Sequence, residues 1–153
     1  MKEKSTNELQ QILSKTKPDK AAEFLKENRD SLISSDKAFC DFLKTKLKIS
    51  GQTQQELFLK AGIPERYGYK LLSGEKKTRQ RDVILRLCLA AGLSLRDTQT
   101  ALSLYSMPIL YTKLARDSVI IIAINSRMTD LISVSDLLEQ NGLKPLASCG
   151  AEE

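Results

Sequence analysis

The chain of 153 residues carries a net charge of +5, with 41% hydrophobic, 28% charged and 5% aromatic residues. It can therefore bury a core filled mainly by Leu, Ile and Ala, and it is not a disordered tail. Histidine is absent, which excludes a zinc site of Cys and His and any triad or general base built on His.

The first residues, Met1 to Gln11, lack the apolar stretch of a signal peptide. Helices are expected at about 6–16, 19–33, 37–48, 54–61, 64–73, 81–91, 95–105, 114–126 and 134–141, from apolar periodicity and from end signals. A hydroxyl followed three residues on by an acid, at Ser5/Glu8, Thr53/Glu56, Ser94/Asp97 and Ser133/Asp136, marks helix starts, because the hydroxyl accepts an otherwise unpaired N–H there. Gly51, Gly62, Gly74, Gly92 and Gly142 each follow an apolar-periodic stretch, where a left-handed residue ends a helix. This leaves almost no room for sheet and predicts an all-α fold.

Leu9, Ile12 and Leu13 line the first helix and Phe24 and Leu25 the second. Ala38, Phe42, Leu43 and Leu47 form a core face on the third, and Val83, Leu87, Ala90 and Ala91 do the same later. Val119 to Ile124 is apolar on all sides and reads as a helix buried all round, a burial to which a subunit interface could contribute. This longest apolar run is far too short to span a bilayer. Cys40 and Cys88 sit among apolar residues and Cys149 near the end, without C-x-x-C spacing. They read as small core hydrophobes or unpaired thiols rather than as a disulfide or metal framework. A cytoplasmic location, no membrane, no metal and no cofactor are expected.

The charge is unevenly distributed. Residues 38–96 hold 12 Lys and Arg against 5 Asp and Glu, whereas residues 97–153 hold 4 against 7. A local basic excess attracts phosphate polyanions, although a Lys-rich solvated surface has the same composition. Within this segment Thr53 to Ala61 forms a short capped helix, Gly62 a turn, and Pro64 to Ser73 a second short helix stopped at Gly74. Leu57, Ala61, Ile63 and Leu71 are placed to pack the two helices together and hold the second one outward.

Thr53-Gln54, Leu57, Ala61-Gly62-Ile63, Leu71 and Gly74, with the downstream Leu89-Ala90-Ala91-Gly92-Leu93-Ser94-Leu95, resemble the lambda-repressor/Cro-like, or Xre-type, helix-turn-helix family over about residues 38–96. The flanks around Leu110-Tyr111-Thr112-Lys113 and Arg116 to Ile122 look like a bacterial subgroup of these regulators. The resemblance implies a five-helix DNA-binding domain at 37–96, a helical extension at 1–36, a second at 97–146 and a flexible tail at 147–153.

It further implies a phosphate contact from Gln54 and an exposed reading face of Glu65, Arg66, Tyr69 and Lys70. Backbone contacts are implied for Lys76, Lys77, Arg79 and Arg81. Arg can bond guanine bidentately and Glu can accept from cytosine, whereas loop cations position the protein without reading sequence. Gly68 stands where the family has a buried Ile or Val. Tyr67 and Tyr69 flank it, and three roles stay open for them: core packing that fills the gap, hydroxyl contact to phosphate, or stacking on bases.

Two functions remain open. One is a non-enzymatic transcriptional regulator that binds specific double-stranded DNA, with a two-fold homodimer as the expected assembly. The other is a protein-interaction module that keeps the helix-turn-helix and offers its basic face to an acidic partner. No grouping of carboxylates, nucleophile and phosphate-cradling loop points to an enzyme.

Overall fold

Helices account for every regular element among residues 4–32 and 37–149, the residues that the computed structural model of the chain describes. Packing divides the chain into two units, residues 1–35 and 36–153.

In the first unit α1 (Thr6–Lys15) opens on a full capping box. The Ser5 hydroxyl accepts from the Glu8 N–H at 3.2 Å and the Glu8 carboxylate accepts from the Ser5 N–H at 3.0 Å. The long second helix expected at 19–33 is instead three pieces: a 3-10 turn at Pro18–Lys20, α2 (Ala21–Glu27), and a second 3-10 turn at Arg29–Ser31; residue 33 lies outside the described residues. Asn28 ends α2, because its side-chain amide donates to the Phe24 carbonyl at 2.9 Å and competes with the helical ladder. Phe24 and Asn28 are the buried residues of this unit among those described.

The second unit holds α3 (Ala38–Ser50), α4 (Gln54–Ala61), α5 (Glu65–Ser73), α6 (Arg81–Ala90), α7 (Leu95–Leu104), α8 (Ala115–Asn125) and α9 (Leu131–Gln140). One apolar core runs through all of them, from Phe39 to Leu146. Its axis is α6, which packs against α4, α7 and α9. Val83, Ile84, Leu85, Leu87, Cys88, Leu89 and Ala90 are all buried, so neighbours on three sides leave α6 little surface beyond the single face expected. Residues 97–149 thus share one core with 37–96, and the part of the expected tail beyond residue 149 lies outside the described residues.

Two expectations about the C-terminal helices change. The N-cap of α9 is Asp130, not Ser133; its carboxylate accepts from the Ile132 N–H at 3.2 Å and from the Ser133 hydroxyl at 2.8 Å. A carboxylate one turn earlier outcompetes the serine for the free N–H groups. Within the single chain α8 is not buried all round. Ile120, Ala123 and Ile124 face the core, but Ile122 is 57% exposed.

Neighbouring residues of α6 and α8 are cross-linked reciprocally. Arg81 of α6 grips Asp117 of α8 with two bonds of 2.9 Å, while Arg116 of α8 grips Asp82 of α6 at 3.0 and 2.8 Å. Burial alone would raise both carboxyls. For Asp82 the Arg116 bonds, the Ala147 N–H and the charges of Arg116 and Arg81 outweigh it and hold the group below the ordinary carboxylate value. For Asp117 the Arg81 bonds, the Tyr111 N–H and the same two charges do so.

The two core cysteines are packing residues. Burial, with Asp97 adding to it, pushes the Cys88 thiol up to about 12. Burial also raises Cys40, whose Sγ lies 3.2 Å from the Leu71 carbonyl. Both are protonated at neutral pH and unreactive as nucleophiles.

Candidate nucleic-acid interface

α4 starts where the Thr53 hydroxyl accepts from the Glu56 N–H at 3.1 Å, and it buries Leu57, Phe58 and Ala61. It stops at Gly62, whose φ of +67° is left-handed, a conformation that costs a side-chain-bearing residue about 1–2 kcal/mol. The Arg86 guanidinium covers this end, donating to the carbonyls of Ala61, Leu146 and Ala147 at 3.1, 3.1 and 2.8 Å. A cation there also meets the negative pole of the helix.

Ile63 is buried, and its N–H returns to the Phe58 carbonyl at 3.0 Å. Pro64, extended with φ −54° and ψ 132°, is the N-cap of α5 rather than its first helical residue. Two short helices joined by three residues result, with Leu57, Ala61, Ile63 and Leu71 all buried between them and the core.

The inner face of α5 carries Tyr67, Gly68, Leu71 and Leu72. Its outer face carries Glu65, Arg66, Tyr69 and Ser73, all exposed, with Lys70 half-buried. The gap at Gly68 is filled from the other helix. A Cβ at residue 68 would lie 2.5 Å from the Phe58 ring, so Phe58 occupies the space a larger residue would take. The Tyr69 ring then stands edge-on to Phe58, centroids 5.0 Å apart, and remains 42% exposed.

After α5 the chain turns back on itself. The Gly74 N–H donates to the Leu71 carbonyl at 3.3 Å and the Lys76 N–H to the Lys70 carbonyl at 3.1 Å. Thr78 is 5% exposed, and its N–H donates to the Tyr105 hydroxyl oxygen at 2.8 Å. Its own hydroxyl accepts from the Gln80 N–H at 3.0 Å. Lys77 and Arg79, on either side of this anchored residue, are exposed.

The ten residues singled out in the sequence therefore fall into three groups. Glu65, Arg66, Tyr69, Lys70, Lys77 and Arg79 lie along α5 and its trailing loop with exposed or half-exposed side chains; Lys76 joins them, its ammonium 5.6 Å from the Tyr67 ring centroid. Gln54 sits half-buried in the first turn of α4.

Of the roles left open for Tyr67 the fold takes core packing, which removes it from the expected DNA-facing set, and Arg81 differs from expectation. Tyr67 is 3% exposed and belongs to the core, because it shares the inner face of α5 with Leu71 one turn on. Arg81 points into the fold. Besides Asp117 it donates to the carbonyls of Pro108 and Ile109 at 3.0 and 2.9 Å, which uses the donors a phosphate would need.

Three contributors were not singled out beforehand. Phe58 supports α5, Tyr105 holds the loop, and Lys37 lays its side-chain carbons against Gly74, within 3.4 Å of where a Cβ would stand. The small residue at 68 was the one local hint that an aromatic ring lay opposite. The other two contacts join residues 27 and 37 positions apart and leave no local trace.

Lys37, Arg66, Lys70, Lys76, Lys77 and Arg79 outnumber Glu65 and Glu75, so the stretch is electropositive. Among the described residues no three His, Cys, Asp or Glu side chains group as metal ligands, and no helix is long and apolar enough to cross a membrane. No family model matches the chain, nor does any curated protein or solved structure.

Proposed function

We propose that this protein binds specific double-stranded DNA through α4 and α5, used as a helix-turn-helix of the lambda-repressor/Cro-like type, and regulates transcription as a two-fold dimer. The observation that carries the reading is the outward face of α5. Arg66 is exposed one turn before Lys70, and its side chain makes no hydrogen bond or ion pair with any described residue. A guanidinium left with all its donors on a short outward helix suits bidentate bonding to guanine. Lys77 and Arg79 follow on a loop anchored between them, a placement suited to phosphates on the flanking backbone.

The Xre-type resemblance rests on residues 38–96, and α8 and α9 complete the same core behind that motif. Sequestration of Arg81 narrows the phosphate-facing set to Gln54 and the loop before α6. Burial of Tyr67 leaves Tyr69 as the aromatic side chain of α5 available to a ligand.

Selection of bound sequences from a random duplex pool tests the proposal. A palindrome with half-sites about one helical turn apart is expected, because a two-fold dimer presents two copies of α5. Titration against salt should give a log-log slope of about −4 to −8, each neutralised phosphate contributing roughly −0.9. If no duplex is retained at low salt and an acidic protein partner is captured instead, the basic face is a protein-docking surface and the regulator reading fails.

A further inference from the structure

Tyr105 lies outside the two helices that would meet DNA, at the C-terminal end of α7. Its hydroxyl oxygen accepts the Thr78 N–H at 2.8 Å, while its ring stands edge-on to Phe39 of α3, centroids 5.0 Å apart and planes at 83°. The ring is thus fixed by the core and the hydroxyl by the loop. Thr78 is buried, its neighbours Lys77 and Arg79 are exposed, and its own hydroxyl holds the Gln80 N–H. Upstream the loop is tied at Lys76 to the last turn of α5, and downstream Arg81 is held by Asp117 and two carbonyls. Between these ties the Thr78 N–H, in the middle of the loop, is held by Tyr105 of α7.

From this juxtaposition we propose that Tyr105 is a positioning residue for phosphate binding: it pins Thr78 so that Lys77 and Arg79 present together to one stretch of DNA backbone. The inference rests on the DNA-binding reading above and assigns a role there to a side chain that touches no ligand. Long, solvated cations gain little from a phosphate when the backbone carrying them must first be ordered, because that ordering entropy is charged against binding. A loop already held in place avoids the cost. The base-reading face of α5 is anchored separately, by Leu71 and Leu72 and by Phe58 under Gly68. Loss of the Tyr105 hydroxyl should therefore affect phosphate contacts and not base choice.

The test is Tyr105→Phe in the full-length protein, which keeps the ring against Phe39 and removes the hydroxyl that accepts the Thr78 N–H. Duplex affinity is expected to fall about five- to tenfold for all sequences alike, with the log-log salt slope shallower by about 1 to 2, the equivalent of one or two phosphate contacts. The base preference from a random pool should stay that of the unmodified protein. Lys77→Ala should weaken the unmodified protein about fivefold but Tyr105→Phe less than twofold, the non-additivity of residues acting as one unit.

Hydrogen exchange on the unmodified, DNA-free protein supplies a readout that needs no variant to fold. The Thr78 amide should be protected well beyond those of Lys77 and Arg79. An unchanged salt slope in Tyr105→Phe, or a Thr78 amide that exchanges as fast as its neighbours, overturns the inference while leaving DNA binding intact. Failure of the unmodified protein to bind any duplex overturns both.

Discussion

Arginines occur in two settings in this molecule. On the α6–α8 side, Arg81, Arg86 and Arg116 each reach several acceptors within the fold: Asp117 and two carbonyls for Arg81, three carbonyls for Arg86, and Asp82 with the carbonyls of Lys144 and Pro145 for Arg116. On the α5 side, the side chains of Arg66 and Arg79 meet no acceptor among the described residues and stand in solvent. The same residue type serves as internal cross-link in one region and as open donor in the other. A count of cations along residues 38–96 mixes the two, although an arginine already bonded inside the fold has few donors left for a phosphate.

The comparison is broken most sharply at the internal pairs. Asp117→Ala leaves the largely buried Arg81 without its carboxylate, and unfolding in urea should show a loss of about 3 kcal/mol, in the range for removal of one partner of a buried pair. A loss below about 1 kcal/mol would mean that Arg81 is no more structural than Arg66. The same pairs set an acid limit. Asp82 and Asp117 titrate below their ordinary value, so their stabilisation is complete above about pH 4 and is lost as pH falls through the lowered folded values. Asp82→Asn with Asp117→Asn should flatten the part of the stability profile that falls below about pH 4.

Next in size is the support beneath α5. Gly68→Ala drives a methyl group into the Phe58 ring and should cost about 1–3 kcal/mol by overpacking, despite a gain of up to about 1 kcal/mol in helix propensity. Phe58→Leu combined with Gly68→Ala should recover much of it. Thermal unfolding of the two variants beside their parent checks this, and a Gly68→Ala protein as stable as its parent would refute the packing described.

Smaller effects are expected from the open set, and on binding rather than folding. Arg66→Ala should leave the melting temperature unchanged, cost about 1–3 kcal/mol on the selected site and relax preference at one or two base pairs. Preference that survives this change places the reading face elsewhere. Lys77→Ala should weaken every duplex alike and reduce the salt slope by about 1.8, roughly 0.9 from each protomer of the dimer, whereas an Arg86→Ala protein that still folds should keep that slope.

Much of this architecture is written locally. Ser5, Thr53 and Ser94 cap the helices they precede, and the glycines at 62 and 74 close α4 and α5 with positive φ. Both signals act within one turn, where a side chain meets the free N–H groups or the absence of a Cβ permits a left-handed residue. Where two local signals compete, at Asp130 and Ser133 or at Asn28 inside an apolar-periodic stretch, spacing alone does not say which one sets the helix end. The outer face of α5 was legible too, because helical spacing separates Arg66 and Tyr69 from Leu71 and Leu72.

What the sequence by itself determined, then, was an all-helical chain, the limits of α4 and α5, and a basic excess around them. The tertiary structure alone decided which cations are open, that Tyr67 turns inward, that Phe58 fills the space over Gly68, and that one side of α8 stays uncovered at Ile122. The reason is separation along the chain. Arg81 meets Asp117 across 36 residues and Arg86 meets Leu146 across 60, and whether a charge faces water or a partner depends on which distant segment folds against it.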